Sequence, residues 1–164
     1  LVAPMARSHP SIQDVAQACR TLGAIAGAGD LSLLKKNLKT DSYRQVITAG
    51  ALGGLAATRD PRQLEALRRA SRPPYQFGSR SQAIRALADY APVNREVVSW
   101  ICEAARDPDE RINLMAISIL GQLEDERAVP ALEKAAKESA NTRVKVYAEE
   151  ALARIRQGIA PKKK

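Results

Sequence analysis

The stretch "AGALGGLAATRDP", residues 49–61, places Gly50, Gly53 and Gly54 in a short apolar run that ends at an Asp-Pro turn. Such a run is compatible with a glycine-rich phosphate-binding loop and also with a helix that tolerates glycine. A phosphate-binding loop requires a preceding strand and a Lys-Ser or Lys-Thr pair, and the sequence shows neither here. The helix is favoured because the same pattern returns four more times along the chain.

Five segments align at one leucine column, which consists of Leu22, Leu52, Leu87, Leu120 and Leu152, at intervals of 30, 35, 33 and 32 residues. The segments are "DVAQACRTLGAIA", "QVITAGALGGLAA", "SRSQAIRALADYA", "NLMAISILGQLED" and "KVYAEEALARIRQ". Four positions before each leucine stands Ala or Thr, and three positions after it stands Ile, Leu or Tyr. These spacings lie on one helical face, and a regular interval of this size indicates stacked helical repeats. Glycine in the second copy would permit close helix packing, at a cost of roughly 1 kcal/mol each relative to alanine.

Four shorter helices are predicted between the long ones, in "DLSLLKKNLK", "DPRQLEALRRA", "NREVVSWICEAAR" and "ERAVPALEKAAKE". Asp30, Asp60 and Asn94 occupy N-cap positions, and Pro61 follows Asp60 at the first helical position. Asp107-Pro108 is predicted to form a tight corner before the next helix. No segment shows the alternation that is typical of strands. The sequence therefore predicts an all-α fold of about nine helices in four to five hairpins.

Composition and chain organisation narrow the class of protein. Hydrophobic residues make up 45% of the chain but aromatic residues only 4%, so aliphatic side chains and alanine must form the core. No apolar run approaches the roughly 18 residues that span a membrane. Cys19 and Cys102 are expected to be reduced core thiols, which favours a soluble protein of a reducing compartment such as the cytoplasm. We expect a linker or tail at 1–10, a single repeat domain at 11–157 and a basic tail at 158–164.

The two-helix unit resembles HEAT-like repeats, most clearly in "DERINLMAISILGQLEDERAVPALEKAAK" and "NTRVKVYAEEALARI". The resemblance implies a right-handed α-solenoid built from HEAT-like hairpins. In such solenoids the second helix of each pair lines the concave side, which would form a groove for a protein or peptide. The alternative is an ordinary solvated stripe. The candidate groove residues are Ile47, Gln82, Arg85, Met115, Ser118, Tyr147 and Arg154.

Residues 38–91 carry a narrower resemblance, with "DSYRQV", "GALGGLA" and "DPR" in that order. This stretch is similar to the C-terminal HEAT-like helical domain of prokaryotic zinc aminopeptidases of the aminopeptidase N family. The zinc site of that family needs an H-E-x-x-H helix, whereas this chain has one histidine, His9. The resemblance therefore implies an accessory domain that serves interdomain packing and substrate access, with no catalytic residue, metal or cofactor of its own.

The charge of the chain is uneven, because residues 1–85 hold 13 Lys or Arg against 5 Asp or Glu, whereas residues 86–164 hold 13 of each. The segment "RRASRPPYQFGSR", residues 68–80, is a candidate contact loop within the basic half. Arginines interleaved with aromatic rings can bind nucleic acid, and they can equally anchor a neighbouring domain or a partner protein. We expect the protein contact. The loop residues are Arg68, Arg69, Arg72, Tyr75, Phe77 and Arg80.

Three functions remain open on the sequence: the accessory domain of an aminopeptidase, a stand-alone HEAT scaffold for protein partners, and a basic solenoid for nucleic acid. Activity of the chain alone is not expected, and neither is a membrane partner.

Overall fold

The structure is a computed structural model that describes residues 11–26 and 31–159. Over these residues the chain forms nine α-helices and three short 3₁₀ helices, with no strand, which confirms the all-α prediction. The α-helices are α1 Ile12–Ala26, α2 Ser32–Asn37, α3 Val46–Ala57, α4 Leu64–Ala70, α5 Phe77–Ala88, α6 Glu96–Ala104, α7 Glu110–Leu123, α8 Val129–Glu138 and α9 Thr142–Ile159. The 3₁₀ helices are Tyr43–Gln45, Pro61–Gln63 and Glu126–Ala128.

The helices form two compact units, the first ending at Tyr90 and the second beginning at Ala91. In the first unit α3 packs between α1 and α5, with α2 against α3 and α4 against α5. In the second unit α9 packs on α7 and α8, and α6 packs on α7. The single domain at 11–157 stays a prediction. Helix α9 runs to Ile159, two residues into the predicted basic tail, and residues 1–10 lie outside the described part.

Helix α3 contains Gly50, Gly53 and Gly54, as predicted, and two of these glycines set its distance from α1. A Cβ built on Gly50 would lie 2.5 Å from the Cα of Ala16, and one built on Gly54 would overlap the carbonyl oxygen of Cys19. The two helices therefore touch backbone to backbone at these positions. Gly53 faces the flexible side chains of Arg20 and Gln82 instead of backbone.

The leucine column marks the buried faces of the five long helices. Leu52, Leu87 and Leu120 are fully buried, and the alanines four positions before the last two are buried with them. Ile25 was expected on the same face and is 71% exposed, so that prediction is wrong. It lies one residue before the end of α1, where no described element covers it.

The predicted helix starts are held by side-chain caps. The Asp60 carboxylate accepts the Arg62 N–H at 3.0 Å, and the Asn94 side-chain oxygen accepts the Glu96 N–H at 2.9 Å. Asp107 accepts the N–H of Asp109 at 2.9 Å and so forms the predicted corner before α7. Asp30 lies outside the described residues. No helix in the described part is both long and apolar enough to cross a membrane.

Candidate interaction surface

The turn before α3 has an uncommon backbone. Arg44 has φ 52° and Gln45 has φ 54°, so two successive residues that are not glycine adopt the left-handed conformation. Each such residue costs on the order of 1–3 kcal/mol and persists only where its surroundings fix it. Ser42 supplies part of the restraint, because its carbonyl accepts the Gln45 N–H at 2.9 Å and its hydroxyl oxygen accepts the Ile47 N–H at 3.1 Å.

The same turn is bound to the start of α5. The side-chain oxygen of Gln45 accepts the backbone N–H of Gln76 at 2.8 Å, and its carbonyl accepts the Ser79 hydroxyl at 3.4 Å. Ser79 is fully buried, which leaves this junction little freedom to move. Residues 42–45 and 75–79 thus form one site, although more than thirty positions separate them in the sequence.

Two aromatic side chains project from this junction, Tyr43 at 72% exposure and Phe77 at 37%. The Arg44 guanidinium lies 5.5 Å from the centroid of the Tyr43 ring, which is a cation–π contact between two exposed groups. Tyr75, two residues before Phe77, is half-buried, and its N–H donates to the carbonyl of the exposed Arg72 at 3.2 Å. We refer to this set as the Tyr43–Phe77 surface, which consists of Tyr43, Arg44, Arg72, Tyr75, Gln76 and Phe77.

Some residues of the predicted contact loop are exposed in the structure, and others are buried. Arg80 was expected in the contact set and is only 7% exposed, with its Nε donating to the Ser71 carbonyl at 3.2 Å. It therefore anchors the turn between α4 and α5 from inside, and its placement on a contact surface is wrong. Arg69 is exposed beside Glu65, 3.9 Å away, and Arg68 is half-buried.

The predicted groove residues also divide by burial. Ile47 is 7% exposed and belongs to the core cluster of Val15 and Leu34, so it is no surface contact. The cause is that α3 packs against both α1 and α5, so most of its residues are buried. The other members keep part or all of their side chains accessible, and their binding role stays a prediction; they are Gln82, Arg85, Met115, Ser118, Tyr147 and Arg154.

Three helix starts share an Asp-x-Arg arrangement that the sequence analysis missed, although the spacing is visible there. The Asp60, Asp109 and Asp125 carboxylates each accept both the backbone N–H and the side-chain Nε of the arginine two residues later. The Arg62 side chain and N–H, with Gln63, lower the pKa of Asp60 to about 2 against the opposing effect of desolvation. Arg127 likewise lowers the pKa of Asp125. These carboxylates are therefore committed to capping their own helices.

A pocket of about 210 Å³ opens in the second unit among α7, α8 and the start of α9. Val144 and alanines line it, and the ion pair between Lys134 and Glu138, 3.6 Å apart, also borders it. The side-chain oxygen of Asn113 is buried there without a hydrogen-bond partner among the described residues. A buried oxygen without a hydrogen bond lowers the stability of the fold by about 1–3 kcal/mol.

Both cysteines are free thiols, and burial raises the pKa of each. The pKa of Cys102 rises to about 11, and the amide of Asn37 donates to the Cys19 sulfur at 3.1 Å. Both groups are thus protonated at neutral pH and are weak nucleophiles. Within the described residues no group of three or more His, Cys, Asp or Glu side chains could hold a metal ion. His9 lies outside that part of the chain, so the expected absence of a metal stays a prediction.

Residues 76–153, from the start of α5 into α9, match the protein-family model of HEAT repeats. This part of the chain is similar to HEAT repeats. A chain of the complex of CpcE and CpcF of phycocyanin lyase from Nostoc sp. PCC7120 has a similar structure. The TM-score is 0.66 at 19% identity, and the match covers 92% of the present chain and 95% of that one.

An engineered protein with a crystal structure also has a similar fold, with a TM-score of 0.56 at 19% identity. That match covers 94% of the present chain and 78% of the engineered one. Identities this low establish a shared fold. No curated protein matches the sequence. The comparisons support the HEAT-like resemblance and give no support to the resemblance of residues 38–91 to aminopeptidases.

Proposed function

We propose that this HEAT-repeat chain is a non-catalytic scaffold that binds a partner protein, and that the partner docks on the Tyr43–Phe77 surface. The observation that carries the proposal is the pair of exposed aromatic rings with an oriented guanidinium, held on a strained but tightly bonded junction. The similar chain from Nostoc supports a role in binding a protein, because that chain was solved in a complex of two proteins.

The composition of the surface fits an interface better than it fits ordinary solvated surface. Tyrosine and arginine are enriched among the residues that contribute most to protein binding, since they combine apolar area with directed hydrogen bonds. The bonds from Gln45 to Gln76 and Ser79 fix the backbone beneath these side chains before any partner arrives. Preorganisation of this kind lowers the entropic cost of association.

Chemical cross-linking in a lysate of the source organism, followed by mass spectrometry, tests the proposal. Purified full chain is compared with a Tyr43→Ala/Phe77→Ala variant and with Tyr147→Ala, which removes an exposed aromatic residue of the predicted groove. We expect one protein to be captured in stoichiometric amount by the wild type and by Tyr147→Ala, and to be lost from the double variant. Loss with Tyr147→Ala alone would place the binding site in the predicted groove, and the absence of any stoichiometric partner would contradict the scaffold function.

The resemblance of residues 38–91 to aminopeptidases suggests an accessory domain as a second candidate. It predicts an H-E-x-x-H segment upstream in the complete reading frame, so sequencing that frame decides it. A frame without this segment would leave the scaffold as the remaining candidate of the two.

A further inference from the structure

The Tyr43–Phe77 surface lies in a positively charged part of the chain. Residues 11–26 and 31–90 hold 12 Lys or Arg against 5 Asp or Glu. All members of the surface lie within residues 42–45 and 71–79, which contain Arg44 and Arg72 and no acidic residue, with Asp41 adjacent in sequence. Interfaces are arranged so that opposite potentials meet, which favours an acidic partner segment.

The side chains of the surface determine the rest of the partner's chemistry. The Arg44 guanidinium presents a planar set of donors that matches a carboxylate, and it lies 5.5 Å from the centroid of the Tyr43 ring. Phe77, exposed at the start of α5 beside the bonded turn, provides apolar area. We infer that the Tyr43–Phe77 surface binds an acidic protein segment in which Asp or Glu residues flank a bulky apolar side chain, an inference that rests on the proposed scaffold function.

Nucleic acid fits the surface less well, because three arginines of this half contact groups of the protein itself. Arg62 pairs with Asp60 at 2.8 Å, Arg80 is buried against the Ser71 carbonyl, and Arg69 lies beside Glu65. A nucleic-acid site neutralises several phosphates at once, which requires a row of outward cations. Arg44, which is exposed on the surface and lies against the Tyr43 ring, suits a carboxylate of the partner.

Fluorescence anisotropy with a labelled peptide tests the inference on the full chain at physiological salt. The probe is a short peptide in which glutamates flank a central Leu-Phe pair, and its glutamine counterpart serves as the uncharged control. We expect the glutamate peptide to bind and the glutamine peptide to bind at least about 10-fold more weakly. Arg44→Glu should weaken binding at least about 10-fold. Arg59→Glu makes the same charge change on an exposed arginine beyond the opposite end of α3 from Arg44. It should alter binding less than about 2-fold, because the helix is about 18 Å long and salt screens charges at that separation.

Arg44→Gly separates binding from folding. Glycine adopts a φ of 52° without strain, so this variant should melt at the same temperature as the wild type or higher while binding the peptide at least about 10-fold more weakly. Circular dichroism of every variant monitors the fold. Undiminished peptide binding by a folded Arg44→Gly variant would contradict the inference.

Three other results would overturn it: no binding of the glutamate peptide, equal losses for Arg59→Glu and Arg44→Glu, or tighter binding of a single-stranded oligonucleotide that displaces the peptide. Failure here is distinguishable from failure of the scaffold function. A partner captured through the surface without peptide binding would refute the acidic segment alone, whereas the scaffold function fails only if no partner is captured.

Discussion

Replacing single glycines of α3 by alanine should change stability in opposite directions within one helix. Alanine is the better helix former by roughly 1 kcal/mol, so propensity alone predicts a gain at every position. The packing of α3 against α1 reverses that expectation at Gly50 and leaves it intact at Gly53. The two positions lie three residues apart and share the same host helix, so each serves as the control for the other.

The contacts give the size of the effect. A Cβ at position 50 would lie 2.5 Å from the Ala16 Cα, whereas ordinary contacts begin at 3.4 Å, so α1 would have to withdraw by about 1 Å. Overpacking of this kind costs about 1–3 kcal/mol, which outweighs the propensity gain and leaves a net loss of up to about 2 kcal/mol. At position 53 the nearest atom is the Arg20 Cγ at 3.1 Å, and this flexible side chain can move aside. A net gain of roughly 0.5–1 kcal/mol is expected there.

Urea unfolding followed by circular dichroism measures both variants against the wild type. Gly50→Ala should lower the unfolding midpoint and Gly53→Ala should raise it or leave it unchanged. If both variants were stabilised, α1 and α3 would not be in backbone contact, and the packing argument would fail.

Three further predictions concern the core, a cap and the orphaned oxygen. Leu87→Ala and Leu120→Ala should each lower the free energy of unfolding by about 2–5 kcal/mol, because both leucines are buried. Arg85→Ala, at an exposed position, should change it by no more than about 0.5 kcal/mol. Equal shifts in melting temperature for the three variants would refute the assignment of the buried helical face. Because the pKa of Asp60 falls from 3.8 to about 2 on folding, its ionised form adds stability above pH 3.8 that disappears as the pH falls toward 2. The stability deficit of Asp60→Asn, measured by urea unfolding, should therefore shrink over that range, and a pH-independent deficit would contradict the ion pair. Asn113→Leu should raise the free energy of unfolding by about 1 kcal/mol, since it removes a buried oxygen without a partner; a lower melting temperature would show that the oxygen is satisfied.

The helices were predictable because their buried residues recur at fixed spacing, as Leu87 and Leu120 show. The prediction that Ile47 lines the groove failed for a physical reason. The spacing argument assumes that each helix has one buried face and one solvent-exposed face. The segment "VITAGALGGLAA" contains no charged residue, which already indicates a helix enclosed on both sides.

The Tyr43–Phe77 surface could be predicted only in part. Phe77, Tyr75 and Arg72 were recognised by their proximity in sequence, but Tyr43 and Arg44 join them through the left-handed turn and the bond from Gln45 to Gln76. Neither feature has a local signature, because glycine, the usual residue for such a turn, is absent from "DSYRQV". Tertiary contacts determine the conformation there.

The Asp-x-Arg caps also bear on how such a chain can change its length during evolution. Each of Asp60, Asp109 and Asp125 finds its counter-charge two residues away, so the carboxylate travels with its own cation whenever the surrounding segment is copied or deleted. A duplicated hairpin would carry a complete, electrically balanced helix start into its new position and would leave no stranded charge at the old one. A hairpin with such a cap can therefore be duplicated or deleted without leaving an unpaired aspartate at its helix start.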